Sequence, residues 1–149
     1  MIHAQMTKSF IVVSPRAILT AGSWSVNDID TLGFRYCRVL GTLGATSDAF
    51  TAWKMQESDV SGSGFADVTG LVASGSTGDG RLPQATDDDT LFGFDIDLRG
   101  RKRYLRLVAT IGATGTGAFL GVVATLSRAE EAPNTTAERG LAGYLHLPA

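Results

Sequence analysis

Asp95 and Asp97 come nearest, among the residues of this chain, to the acid–base pair of an enzyme. Two residues apart on an extended strand, they share one face with Cβ atoms about 7 Å apart. That is within the range at which paired carboxylates protonate a leaving group and activate water in glycoside hydrolysis. A regular polar strand face produces the same spacing, and no further acid or sugar-stacking aromatic accompanies the pair, so no catalytic residue is assigned. Asp87, Asp88 and Asp89, with Asp79 nearby, are hard oxygen donors of the kind Ca²⁺ takes. They lack the alternate acids and the closing Glu of an EF-hand loop. Adjacent carboxylates point different ways on an extended chain, so the run reads as a solvated loop, with a weak cation site as the rival reading. His3 and His146 are the only histidines, and neither has a Cys or carboxylate at zinc-ligand spacing. A Ser-His-Asp triad would have to recruit one of them, and no Gly-x-Ser-x-Gly elbow is present. Cys37 is the single cysteine, which rules out an intrachain disulfide; it reads as a small buried hydrophobe. Gly112, Gly115 and Gly117 precede neither a helix nor a Lys-Ser/Thr pair, so they do not form a phosphate loop. No metal or cofactor is expected.

The densest charge lies in Arg99, Arg101, Lys102 and Arg103, with Arg106 just beyond. It reads as a solvated turn partly neutralised by Asp95 and Asp97, or as a contact for an acidic protein surface. Nucleic acid is the weakest reading: Tyr104 is the one adjacent aromatic, and a net charge of −2 withholds the positive field such binding needs. Trp53 alternates with Met55 and reads as core. Trp24 follows the turn at residues 21–23 and is left open between core and an exposed carbohydrate platform.

These side chains need a scaffold, and its pattern is β. From Leu91 to Leu98 the chain alternates strictly, with Phe92, Phe94, Ile96 and Leu98 on one side and Gly93, Asp95 and Asp97 on the other. The run at residues 104–111 reads as its antiparallel partner across a basic turn. Residues 118–126 are apolar on both faces, which suits a mid-sheet strand, joined to the previous strand by a flexible hairpin loop at residues 112–117. Further strands are expected at residues 10–13, 17–20, 34–43 and 50–58, with short ones at 65–68 and 71–72. Residues 26–31 read as a polar turn, and residues 74–89 as a long surface loop. Eighteen glycines among 149 residues exceed the usual share of roughly 7% and fit many tight turns. The expected fold is all-β, a β-sandwich or jelly roll of about eight antiparallel strands with extended termini. A chain of this length buries enough surface to need no disulfide or metal staple. No apolar run is long enough for a membrane helix, and the first residues lack the basic and apolar regions of a signal peptide.

Residues 1–127 are expected to form the β domain with an N-terminal arm, and residues 128–149 a C-terminal extension. Residues 137–142 suit a short helix. The apolar stretch at residues 143–148 needs a surface to dock on, in its own subunit or a neighbour, which marks Tyr144, Leu145 and Leu147 as candidate contacts beside Arg99, Arg101, Lys102 and Arg103.

Four stretches resemble small virion proteins of tailed bacteriophages and related prophages. They are residues 28–34 (Asp-Ile-Asp-Thr-Leu-Gly-Phe); residues 54–59 (Lys-Met-Gln-Glu-Ser-Asp) with 65–68; residues 97–105 (Asp-Leu-Arg-Gly-Arg-Lys-Arg-Tyr-Leu); and residues 126–130 with 133–135. The resemblance covers most of the chain. It implies a non-enzymatic structural protein on the capsid exterior, made in the host cytoplasm. Such a protein would decorate and stabilise the lattice of the major capsid protein as a homotrimer, without nucleic acid or membrane. A receptor- or glycan-binding head-fibre or tail module, and a head-completion or tail component, are the competing expectations.

Overall fold

A computed structural model describes residues 6–15, 18–133 and 135–145. His3, His146 and Leu147, with part of the N-terminal arm and of the strand expected at 17–20, lie outside the described residues. The chain is all-β: β1 (Lys8–Val13), β2 (Gly22–Ser23), β3 (Ile29–Asp30), β4 (Tyr36–Thr46), β5 (Phe50–Ser58), β6 (Ala66–Val72), β7 (Thr90–Asp97), β8 (Tyr104–Ile111) and β9 (Ala118–Ser127). Two antiparallel sheets face each other as a β-sandwich. Sheet A runs β1-β9-β4-β7 and sheet B runs β2-β8-β5-β6, with β3 also on β8.

Period-two alternation decides what is buried. Cys37, Val39 and Leu43 of β4, Trp53 and Met55 of β5, Leu105, Leu107 and Ile111 of β8, and Leu120, Val122 and Leu126 of β9 fill the space between the sheets. As expected, β9 lies mid-sheet, between β1 and β4. Phe92, Phe94 and Ile96 also turn inward. Gly41 of β4 lets the Trp53 ring lie directly on the backbone.

Three expectations need correction. The strands on either side of the basic turn are not partners: β7 pairs with β4 in one sheet and β8 with β5 in the other. The segment at residues 112–117 is likewise no hairpin loop, because it carries the chain from sheet B to sheet A. Alternation states which face of a strand is apolar but not which strand lies beside it. Two strands with apolar inner faces cover each other when the chain arches across the core. Residues 26–31 are not merely a polar turn, because Ile29 is fully buried in β3.

The loop at residues 74–89 is anchored rather than freely solvated. Pro83 is fully buried, and its carbonyl accepts from Phe50 N–H at 2.9 Å. Asp48, 1% exposed, ties down the segment at residues 112–117 by accepting from the N–H and hydroxyl of Thr114 and the N–H of Gly117.

Of the extension beyond β9, the described turn at residues 135–140 lies against β1 of its own subunit. Residues 135–140 make one helical turn with a capping box. Glu138 N–H donates to Thr135 Oγ1 at 3.1 Å, and Thr135 N–H donates to Glu138 Oε2 at 3.0 Å. The turn ends at Gly140, whose φ of 73° only glycine adopts without strain. The N–H of Leu141 returns to Thr136 O and that of Gly140 to Ala137 O. Ser9 N–H then donates to Arg139 O at 2.9 Å, closing part of the outer edge of β1.

Candidate interaction surfaces

Asp95 and Asp97 do share an exposed face, but each is occupied. Arg38 grips Asp95 through two nitrogens at 2.7 and 3.1 Å, and Arg99 grips Asp97 at 2.5–3.1 Å. Hydrogen bonding from Arg38 lowers the Asp95 pKa, and that from Arg99 holds Asp97 at about 2. Both are therefore ionised at neutral pH, whereas a general acid needs a raised pKa. Nor do the three consecutive acids form a cation cage. Asp87 is buried and takes a bidentate grip from Arg81, and Asp88 accepts from Thr46 N–H at 2.7 Å. Among the described residues no three potential metal ligands come together. Cys37 is buried, and burial pushes its thiol up to about 12.

The basic cluster proves to be one half of an interlocked belt. Arg99 pairs with Asp97, Arg101 with Glu57, Lys102 with Asp59, Arg103 with Asp30 and Arg106 with Asp28. Arg106 also lies over the Phe65 ring at 3.9 Å. Every cation of the turn has a carboxylate of its own, and four of those come from segments distant in sequence. Asp95, expected to neutralise this turn, pairs with Arg38 instead. Nothing in this geometry gives the turn an excess of positive charge.

Trp24 stacks on Phe50 with ring centroids 5.1 Å apart and 20° between planes, packed against the core. Trp53, 3% exposed, stacks on Phe94. Trp53 is therefore core, and Trp24 is half-buried with one ring face on Phe50.

What the sequence reading missed lies on the backs of the two sheets. Sheet B is polar there: Lys54 and Gln56 both bond Asp67 at 2.7 Å, and Ser23 bonds Thr110 at 2.7 Å. Sheet A is apolar over one half. Register aligns Ile11 with Val123, Val123 with Leu40, and Leu40 with Gly93, one residue from each of the four strands. Phe119 and Leu91 continue the patch, and with Pro15, Gly121 and Thr42 they border a shallow groove of about 660 Å³. Ile11, Val123 and Leu91 are 58%, 46% and 66% exposed. The patch gives way to polar groups at Arg38, Asp95 and Tyr36. Its signal was present in the two-sided apolar character of β9, which accounts for a central strand and equally for a strand whose outer face meets another surface.

The sides of the sandwich differ as well. Along β1, Asn27 N–H donates to Val12 O at 2.9 Å and its side-chain amide to Ile11 O at 3.0 Å, while Arg139 takes Ser9. On the opposite side, no backbone hydrogen bond among the described residues reaches the outer edge of β7. Between β6 and β7 runs a cleft of about 600 Å³ with Trp53, Phe92 and Phe94 on its floor and residues 78–81 at its rim. Arg81 lies over Phe92 at 5.0 Å. Leu98 N–H donates inward to Arg35 O at 3.1 Å. By the alternation of an antiparallel ladder, the backbone N–H and C=O groups of Leu91, Gly93 and Asp95 therefore point out of the sheet.

Comparison with protein-family models, with curated proteins and with solved structures finds no match to this chain.

Proposed function

We propose that this protein is a non-enzymatic structural component of a virion that decorates and stabilises the capsid exterior. It docks the apolar back of sheet A on the lattice of the major capsid protein and associates with itself as a homotrimer. The supporting observation is the contrast between the two sheet backs, one polar and internally bonded, the other apolar across all four strands. Antiparallel sheets facing water normally carry polar residues on that side, and contiguous exposed apolar surface marks a contact site. The capsid as the setting comes from the resemblance to small phage virion proteins. Apolar burial stabilises by about 25 cal/mol per Å² before ordering costs, and many copies on one shell multiply a modest contact through avidity.

Co-sedimentation with capsids stripped of the protein, read by cryo-electron microscopy, tests the reading. Regular density at threefold or quasi-threefold positions, with sheet A against the shell, is the expected result. Val123→Lys and Ile11→Lys, both at exposed positions, are expected to abolish binding while leaving thermal unfolding unchanged. Density confined to one vertex or to the tail, or binding indifferent to both substitutions, would overturn it.

A further inference from the structure

Almost every described arginine of this chain is engaged. Seven pair with a carboxylate, and Arg139 lies over the Tyr144 ring. Arg128 does neither. It is exposed, and its field reaches Asp97 and Tyr36 without an ion pair to a described residue. The acids nearby, Asp95 and Asp97, are already gripped by Arg38 and Arg99, which leaves the Arg128 charge uncompensated. Its backbone stands apart as well. At a φ of 54° Arg128 occupies the left-handed region, which glycine adopts without strain and a residue with a Cβ does not. The fold needs a turn there: beyond it Ala129 is buried and Glu130 N–H reaches Gly33 O at 2.8 Å. Glycine would meet that need, whereas arginine adds a guanidinium.

The surroundings of that guanidinium are rich in hydroxyls. Arg128 borders a hollow of about 350 Å³ with Thr7, Tyr36, Arg38, Thr125 and Ser127. Register sets Tyr36 opposite Ser127 and Arg38 opposite Thr125, followed on the same face by Leu40 opposite Val123. The hollow is therefore the polar end of the sheet A back whose other half is apolar, with Ser127 about 13 Å along β9 from Val123. Arg38 and the Tyr36 hydroxyl both donate to Asp95. Arg128 and the hydroxyls of Thr125 and Ser127 are the donors left for a ligand. A single uncompensated cation beside two carboxylates suits a monoanion, because Asp95 and Asp97 would repel a phosphate dianion more strongly. A guanidinium fork matches a carboxylate through two parallel hydrogen bonds.

We propose that this hollow binds a carboxylate, the side chain of an Asp or Glu on the protein that docks against the apolar half of the same sheet back. Arg128 takes it in a bidentate grip, and the hydroxyls of Thr125 and Ser127 donate at its flanks. The apolar half supplies burial, and the carboxylate contact fixes the orientation of the docked surface, the usual contribution of charge at an interface. This rests on the sheet A docking in the proposed function.

The test uses the full chain. In an NMR titration with sodium acetate, at ionic strength held constant with chloride, the amide signals of Thr125, Ser127 and Arg128 are expected to shift saturably. Arg128→Gly is expected to abolish those shifts with the melting temperature unchanged or raised, since glycine relieves the backbone. Arg128→Lys, which keeps the charge but not the fork, is expected to hold acetate more weakly. No saturable shift, or one that survives Arg128→Gly, would overturn the proposal. Inorganic phosphate saturating the same amides at a lower concentration than acetate would overturn it too, by assigning a phosphate group. On stripped shells, Arg128→Gly is expected to weaken binding at least tenfold and to flatten its salt dependence. Full-strength binding by Arg128→Gly, where Val123→Lys has none, would remove the carboxylate contact and leave sheet A as the docking face. Acetate held at Arg128 by a protein that binds no shell would keep the carboxylate site and remove the capsid as its partner.

Discussion

A Cβ added to Gly41 would come within 2.7 Å of Trp53 Cη2 and 3.4 Å of Val122 Cγ2. The missing side chain is what allows the indole to cross the core and reach Phe94 and Phe92 of sheet A. Gly41→Ala therefore overpacks a full site, and such insertions typically cost about 1–3 kcal/mol. A urea titration is expected to show that loss as a lower midpoint with an unchanged slope. An unchanged midpoint would mean that Trp53 moves aside freely. The pairing of Trp53 with Met55 as core was legible from alternation. The need for glycine opposite it was not, because that requirement comes from a strand in the other sheet.

At the scale of elements, the edges carry the information. The capped turn at residues 135–140 covers part of β1 because Gly140 lets the backbone lie against the Ser9 carbonyl. Any side chain at that position would run into the carbonyl oxygen and would also have to adopt a φ of 73°. Gly140→Ala is expected to release the turn from β1. Amide exchange at Ser9 should rise roughly tenfold or more while the global melting temperature changes little, since the opening is local. An unchanged Ser9 rate would show that the tail does not protect this edge. The short helix expected at residues 137–142 does not form: the segment makes a single capped turn at residues 135–140 that Gly140 ends, and the signature Thr135-Thr136-Ala137-Glu138 could have located its start.

Across the whole molecule, stability is tied to ionised carboxylates. Asp30, Asp48, Asp67, Asp87, Asp95 and Asp97 all have pKa values lowered from 3.8, first by side-chain hydrogen bonds from Arg103, Thr114, Lys54, Arg81, Arg38 and Arg99 respectively. A group whose folded pKa lies below its unfolded value stabilises the fold above the unfolded pKa. That contribution drains away as pH falls through the folded value. The melting temperature should therefore stay level from about pH 8 to about pH 5 and fall between about pH 4 and pH 2, with Asp97 protonating near the bottom of that window. A thermal series at low ionic strength checks this. A decline that begins near neutrality would place control of stability elsewhere.

The sequence by itself determined the class and the inward faces. Strict alternation in β7, the apolar runs of β8 and β9 and the glycine-rich connections specify an antiparallel all-β fold, sandwich or jelly roll, because side-chain direction in a strand depends only on parity. It also placed Cys37, Trp53 and Met55 inside. Only the tertiary structure decided the neighbours. It put β7 and β8 in different sheets, matched Arg101, Lys102, Arg103 and Arg106 to acids far away in sequence, and left one sheet back apolar. Those outcomes depend on which strands meet across the core, and a one-dimensional pattern carries parity but not adjacency.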